Sequence, residues 1–382
     1  VKFTIAQPEL AHIAALVQRA AASRDTVPAL SGLLIQASIE NGLTLTATDL
    51  EIAIRAKTDR VSVREGGTVL LNARYFSDLV RFLPETELQA ATDEGSSRLV
   101  VTYGRSESHL NLYDHQEFPD LPLEKMRSLL SMPQSLLKEM LRKTAFAAAV
   151  SHFRQVFTGV LFDIEGSQLR VVASDTHRLA LMSAQLEDGG YPPQQFVVPA
   201  RTVNELTRLL EDSLEPIDIS LADNSIVFHR PDGTLWLFSR LVEGQYPNYL
   251  PVIPQTFIST MTVDTRSLVN TLERASLLPT DKQAAKQGIR NVVLEIKEGE
   301  LHLSSHSEKM GALAEVIEGT VVEGETGFQV AFNTRYFLDV MKILQTESPS
   351  TVLQFTGSLS PALVKNPGRD DFIYVIVPLV TT

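Results

Sequence analysis

Cysteine is absent from the 382-residue chain, which removes disulfide scaffolds, thiolate zinc centres and cysteine nucleophiles together and leaves metal chemistry to histidine and carboxylates. Long apolar runs are missing as well: none approaches the roughly 18 residues that a membrane span needs. The opening VKFTIAQPEL has neither the basic flank nor the hydrophobic stretch of a secretion signal. With no cysteine to protect, a reducing cytoplasmic setting and no membrane partner are expected. Basic residues are in the minority, 34 Lys and Arg against 46 Asp and Glu, for a net charge of −12. Taken alone, that balance argues against a polyanionic partner, because nucleic-acid binding leaves a basic footprint. Catalytic signatures are also missing: there is no GxSxG elbow, no P-loop and no glycine-rich phosphate cradle. What remains, at 44% apolar and 21% charged residues, is the composition of a globular protein.

The chain repeats itself three times. LTLTATDLEIAI (43 to 54), LRVVASDTHRLAL (169 to 181) and LHLSSHSEKMGAL (301 to 313) share alternating apolar positions, a small polar turn and a second apolar stretch. In that register Asp49, Asp175 and Ser307 correspond, 126 and 132 residues apart. A second trio, LLNARYFSDLVRFL, VVPARTVNELTRLL and VAFNTRYFLDVMKIL, aligns Arg74, Arg201 and Arg335 at spacings of 127 and 134. Proline-bearing stretches, EFPDLPLEK and QYPNYLPVIPQ, fall where these periods place boundaries. Three domains are therefore expected, over 1–124, 125–254 and 255–382. Each reads as an amphipathic helix (9 to 22, 135 to 150, 265 to 276), then alternating strands such as GLLIQASI, GVLFDIEG and RNVVLEIK, then a second helix and further short strands such as RLVVTYG and HLNLY. Two helices against a majority of strands is an α+β plan.

ASDTHRLAL (173 to 181) is the stretch that most resembles a catalytic cluster, with Asp175 and His177 as an acid–base pair. Its counterparts carry Asp49 with Glu51 and Ser307 with Lys309. A general base needs a nucleophile or substrate group within hydrogen-bond reach, and none is supplied nearby, so the shared aspartates are read as fixing a turn between two strands. The main rival is an enzyme using the Asp175 and His177 region, with His302 and His306 as metal ligands. Those histidines lie in LHLSSH, which reads as a strand, where four residues span roughly 13 Å. A repeat-built interaction scaffold without nucleic acid is a second rival.

Positive charge is concentrated on the helices. Arg74, Asp78 and Arg81, then Arg201, Glu205 and Arg208, then Arg335, Asp339 and Lys342 follow one spacing that puts all three on a single helical face. Segments 9–24, 73–83, 135–154, 200–210, 265–275 and 333–345 hold 14 Lys or Arg and 6 Asp or Glu, a net of +8, which leaves −20 for the remainder. Each stripe alone fits a solvated face with intrahelical ion pairs. Six together give the molecule a directional field. Six helices closed into a ring would leave a bore of roughly 9 Å, whereas twelve, from two chains, leave roughly 28 Å, enough for duplex DNA. A homodimer is thus the expected unit.

The order RDTVPALSGLL, LTLTATDLE, NARYF, VASDTHRLAL, EGQYPNYLPVIP and YVIVPLVTT resembles the beta subunit of bacterial DNA polymerase III, the replicative sliding clamp, from the first residues to the last. The resemblance implies three similar DNA-clamp domains, helices on an inner face and antiparallel sheets outside, forming a head-to-tail dimeric ring around duplex DNA. It implies a processivity factor for DNA replication with no catalytic activity and no cofactor. Its partners would be the polymerase III alpha subunit, the clamp loader delta subunit, and other DNA polymerases and repair proteins. Non-sequence-specific DNA contacts would involve Arg24, with Arg74, Arg81, Lys138, Arg142, Arg201 and Lys342 as further candidates that equally fit surface salt bridges. The partner-peptide pocket would take Phe157, Ser174, Thr176, His177, Arg178, Leu179, Pro247, Val252, Val375, Val377, Pro378 and Leu379. Arg105 and Leu110 would face Leu277 and Leu278 of the other subunit. Departures from the family pattern are Val377, shorter than the Met often found there, and Glu107, where a basic residue is common.

Overall fold

Alternating apolar residues form strands where the spacing predicts them, over Gly32–Ser38, Gly159–Gly166 and Asn291–Lys297. The computed structural model describes residues 1–23, 27–93, 97–121, 126–187, 189–222, 224–278, 291–307 and 309–380. Among these residues there are six α-helices: α1 (Gln7–Val17), α2 (Ala73–Phe82), α3 (Gln134–Thr144), α4 (Ala200–Leu209), α5 (Thr265–Ala275) and α6 (Thr334–Leu344). The strands are antiparallel throughout the described pairings. None of the helices is long and apolar enough to cross a membrane.

Two compact units make up the chain, Val1–Lys138 with Arg201–Leu241, and Glu139–Ala200 with Val242–Thr382. The first unit contains a 13-stranded sheet. It is continuous because Ile52–Thr58, the strand leaving the first hairpin, pairs with Leu235–Arg240 of the middle repeat. The second unit has a nine-stranded and a four-stranded sheet, the larger joined by Arg178–Gln185 pairing with Phe372–Ile376. Each unit thus couples a terminal repeat to part of the middle one. Residues 124 and 125, where the sequence places the first domain boundary, lie outside the described residues.

Helix positions follow from caps and apolar spacing. Asn72, Asp264 and Asn333 each accept a hydrogen bond from a backbone N–H in the first turn of α2, α5 and α6, satisfying donors that the helix leaves unpaired. Each helix buries one stripe: Leu10, Ile13, Ala14 and Val17 in α1, for example, and Phe337, Val340, Met341 and Leu344 in α6. Side chains of this size contribute about 1.5–3 kcal/mol each on full burial. Two helices stop earlier than their composition predicts. The segments expected to run to 22 and 150 end at Val17 and Thr144, each followed by a short 3₁₀ turn. At Thr144 the hydroxyl bonds back to the Met140 carbonyl at 2.7 Å, and the chain then leaves the helix so that Phe146 stacks on Tyr374. Tertiary contact overrides the alanine-rich propensity of AFAAA.

The two hairpin aspartates do fix turns. Asp49 Oδ1 accepts from the amides of Glu51 and Ile52 at 3.1 and 3.0 Å, and Asp175 Oδ1 from those of His177 and Arg178, both at 3.0 Å. Thr48 and Ser174 reinforce them by donating to the carbonyls of Ile52 and Arg178 and accepting from the amides of Leu50 and Thr176. Leu50 and Thr176 take the left-handed conformation, with φ of 78° and 74°, which non-glycine residues adopt only when the surroundings impose it. The third repeat differs, since Ser307 is the last residue of a strand and pairs with Gly311. Asp49→Ala should therefore lower stability by roughly 2 kcal/mol, losing two amide bonds to a charged acceptor, while Ser307→Ala should change it by less than about 1 kcal/mol. Urea unfolding midpoints of the two variants check this contrast.

Candidate partner-binding groove and cationic helices

Asp175 is engaged by its own turn at both carboxylate oxygens. Its Oδ1 holds two amides, and its Oδ2 accepts from Nε of Arg178 at 3.0 Å. His177 is exposed and stacks at 6.4 Å on Tyr336. Arg178 is almost wholly buried, its fork donating to Asp339 at 2.7 Å and to the Phe146 carbonyl at 2.8 Å. Burial alone would lower its pKa, but Tyr374, Asp339 and Asp175 outweigh that and hold the guanidinium above its usual value. Ser174 and Arg178 therefore serve the turn from within, and Thr176 and His177 present its exposed tip.

Behind that tip lies an apolar cluster built from Val156, Phe157, Leu161, Val172, Leu179, Leu181, Val197, Tyr246, Tyr249, Ile253, Leu363 and Val375. Three residues expected from the sequence, Phe157, Leu179 and Val375, come together here. Val377, Pro378 and Leu379 continue half-buried from the last strand, tied down by Val377 N–H to the His177 carbonyl at 2.9 Å and Leu379 N–H to the Ala331 carbonyl at 2.7 Å. Pro247 is half-buried between Tyr246 and Tyr249. Val252 stands apart from the cluster: it borders a cavity of about 450 Å³ with Pro251, Phe257 and Pro361. Sequence reasoning missed Tyr246, Tyr249 and Ile253, although all three lie in the quoted QYPNYLPVIP. Tyr249 donates its hydroxyl to Asp163, and burial pushes both tyrosine hydroxyls well above their ordinary pKa.

The candidate helical cations are exposed, apart from half-buried Lys138, and mostly accompanied. Arg81 pairs with Asp78 at 2.9 Å, Lys138 with Asp212 at 2.9 Å, Arg142 with Glu347 at 3.1 Å, Lys342 with Glu273 at 3.1 Å, and Arg201 with Asp49. Arg74 and Arg335 are exposed and make no ion pair among the described residues. Arg24 lies outside the described residues. One unpredicted cation is buried: Lys143, 0% exposed, sits between Glu139 at 2.7 Å and Glu347 at 2.8 Å.

Of the expected interface residues, Arg105 is exposed, Leu277 is 70% exposed and Leu278 is half-buried. Leu110 differs from these in its burial. At 3% exposure it points into the core of its own unit, because it pairs with Leu99 on a strand whose alternate residues, such as His109 and Asn111, take the solvent side. His302 and His306 lie on the strand Glu300–Ser307, and His302 contacts Glu300 at 2.6 Å. No group of three His, Asp or Glu converges among the described residues.

Comparison with known proteins follows this order of elements. Three family models match in sequence: DNA polymerase III beta subunit, N-terminal domain over residues 1–122, central domain over 131–248 and C-terminal domain over 251–380. The chain is 33% identical to the beta sliding clamp of Bacillus subtilis (strain 168) across 100% of both chains. It is 32% identical to that of Staphylococcus aureus (strain Mu50) over 371 residues, 95% of each. The solved sliding clamp from Bacillus subtilis superposes with a TM-score of 0.90 at 31% identity, covering 100% of this chain and 99% of that one. The sliding clamp from Pseudomonas aeruginosa bound to griselimycin gives 0.90 at 27% identity and the same coverage. Because Phe157 belongs to the apolar cluster at 8% exposure, Phe157→Ala should reduce stability by about 3–5 kcal/mol through lost transfer energy and a residual cavity. Chemical denaturation of the variant measures it.

Proposed function

Since the chain belongs to the DNA polymerase III beta subunit family, we propose that it is a DNA sliding clamp that encircles duplex DNA and tethers the replicative polymerase for processivity. The observation that carries this reading is the ordered match of three clamp-domain models along the chain. The working unit is a head-to-tail homodimer of six similar domains, with boundaries near 1–124, 125–254 and 255–382. The protein is not an enzyme and uses no cofactor. Its place is the cytoplasm, on DNA.

Retention by encirclement asks for weak contacts. Base-edge contacts would pin a ring to one sequence, whereas phosphate contacts leave it free to slide. We assign that role to Arg24, Arg74, Arg81, Lys138, Arg142, Arg201 and Lys342. Most of the described members already have a carboxylate partner, so a phosphate replaces one anion with another and the net gain per contact is small. Exposed surface pairs of this kind are worth about 0–1 kcal/mol.

The groove at the second hairpin is the docking site for partners, with Thr176 and His177 at its rim, Phe157, Leu179 and Val375 as its floor, and Val377, Pro378 and Leu379 as its C-terminal wall. An apolar trough with a few polar groups suits a short anchor peptide. Its occupants are the polymerase III alpha subunit, the clamp loader delta subunit, other polymerases and repair proteins, and, by analogy with the Pseudomonas clamp, griselimycin. The dimer contact takes Arg105, Leu110, Leu277 and Leu278.

Two variants test the assignment. Removing the residues from Val377 onward should abolish binding of the polymerase alpha subunit while leaving the dimer mass in sedimentation unchanged; undiminished affinity would refute the groove. Reversing Arg24 and Arg142 to Glu should shorten the lifetime on DNA, and a wild-type lifetime would count against cations on the helices as the DNA contact.

A further inference from the structure

The internal duplication supplies its own comparison. Asp49 and Asp175 hold their turns alike through Oδ1, yet Oδ2 is used differently in the two copies. Asp49 Oδ2 accepts directly from Arg201 in the first turn of α4. Asp175 Oδ2 accepts from Arg178 inside its own turn, and Arg178 carries the connection onward to Asp339 of α6 at 2.7 Å. The guanidinium also lies 4.3 Å from the centroid of the Tyr336 ring and 5.6 Å from that of Phe146. In the first copy the residue at the position of Arg178 is Ile52, 1% exposed, whose side chain can make no such bonds.

The acid on α6 is equally altered. Asp339 corresponds to Asp78 of α2 and Glu205 of α4, and each of those pairs with the arginine three residues on, Arg81 at 2.9 Å and Arg208 at 2.7 Å. Lys342, three residues after Asp339, turns instead to Glu273 at 3.1 Å. One carboxylate of the cationic stripe has therefore been withdrawn from its own helix and committed to the turn of the groove.

We propose that Asp339, acting through Arg178, is a positioning residue for partner recognition that ties the turn bearing Thr176 and His177 to the cationic face of α6. The inference rests on the groove assigned above. A nearly buried guanidinium must have its fork satisfied. With Asp339 in place, Arg178 bridges the helix, the Phe146 carbonyl and Asp175, and so holds a turn whose Thr176 sits at positive φ. Without that carboxylate the turn keeps its local bonds, the Phe146 carbonyl and the Val377 amide but loses its tie to α6. The same change removes a negative charge lying between Arg335 and Lys342, which favours phosphate. Partner binding and DNA contact are thus predicted to respond to one side chain in opposite directions.

The test uses the full-length protein and two probes, griselimycin and the polymerase III alpha subunit, with affinities measured for wild type, Asp339→Asn, Asp339→Glu and Arg178→Lys. Asp339→Asn should weaken both probes on the order of tenfold, and Asp339→Glu should recover most of the loss. The double variant with Arg178→Lys should be little worse than either single change, because both break one link. Lifetime on closed circular DNA should lengthen for Asp339→Asn. Wild-type probe affinity in Asp339→Asn overturns the inference, as does a loss that Asp339→Glu fails to recover or one accompanied by a shorter DNA lifetime, since general destabilisation would lower both. If the wild-type protein binds neither probe, the groove assignment falls and takes the inference with it.

Discussion

A single carboxylate oxygen at the tip of a hairpin is the constraint on which each unit depends. Asp49 and Asp175 both clamp two amides, and the strand that leaves each turn is the one that pairs with the following repeat. A slip of one residue at the turn would flip every side chain of that outgoing strand to the other face. The seam would then lose its register. The turn even receives the end of the seam strand in the same way in both copies, since the Glu51 carbonyl accepts from Arg240 and the His177 carbonyl from Val377, each at 2.9 Å. Residues that look like chemistry when read in line are occupied in holding this joint.

That joint links to the helices. At the first seam the link is Asp49 to Arg201; at the second it is Asp175 to Arg178 to Asp339. The charge order is reversed while the mechanical result is kept. Because acids accompany most of the helical cations, the phosphate contacts proposed above would exchange one partner for another rather than add a new attraction. An ion pair already satisfied gives up nearly as much as it gains, which suits a protein that must remain on DNA without gripping it. A net charge of −12 for the whole chain is compatible with a DNA partner when the basic residues are concentrated on the helical segments.

Much of this is legible in the sequence, for identifiable reasons. Strand alternation and the recurring turn are local, so the threefold duplication, the six helices and the structural role of Asp175 can be read from spacing. The assignment of Phe157, Leu179 and Val375 to a groove comes from family resemblance alone, since nothing in an apolar residue tells a groove floor from ordinary core. Other features depend on distant contacts. The ends of α1 and α3 are decided by tertiary packing against a favourable local propensity. Leu110, by contrast, faces inward and His109 and Asn111 outward, as the alternation in HLNLY implies. The Arg178 to Asp339 bond joins residues 161 apart in the chain, and the spacing of the stripe pointed Asp339 toward its helical neighbours. Arg24, given the leading role by resemblance, lies outside the described residues.

Topological retention is the claim from which all else follows, and it separates a closed clamp from an ordinary DNA-binding protein by one comparison. The purified protein, loaded by its loader onto closed circular duplex DNA at moderate salt, should co-elute with the circle in gel filtration and be released when a restriction enzyme cuts that circle once. Equal retention on the circle and on the linear product would contradict the account.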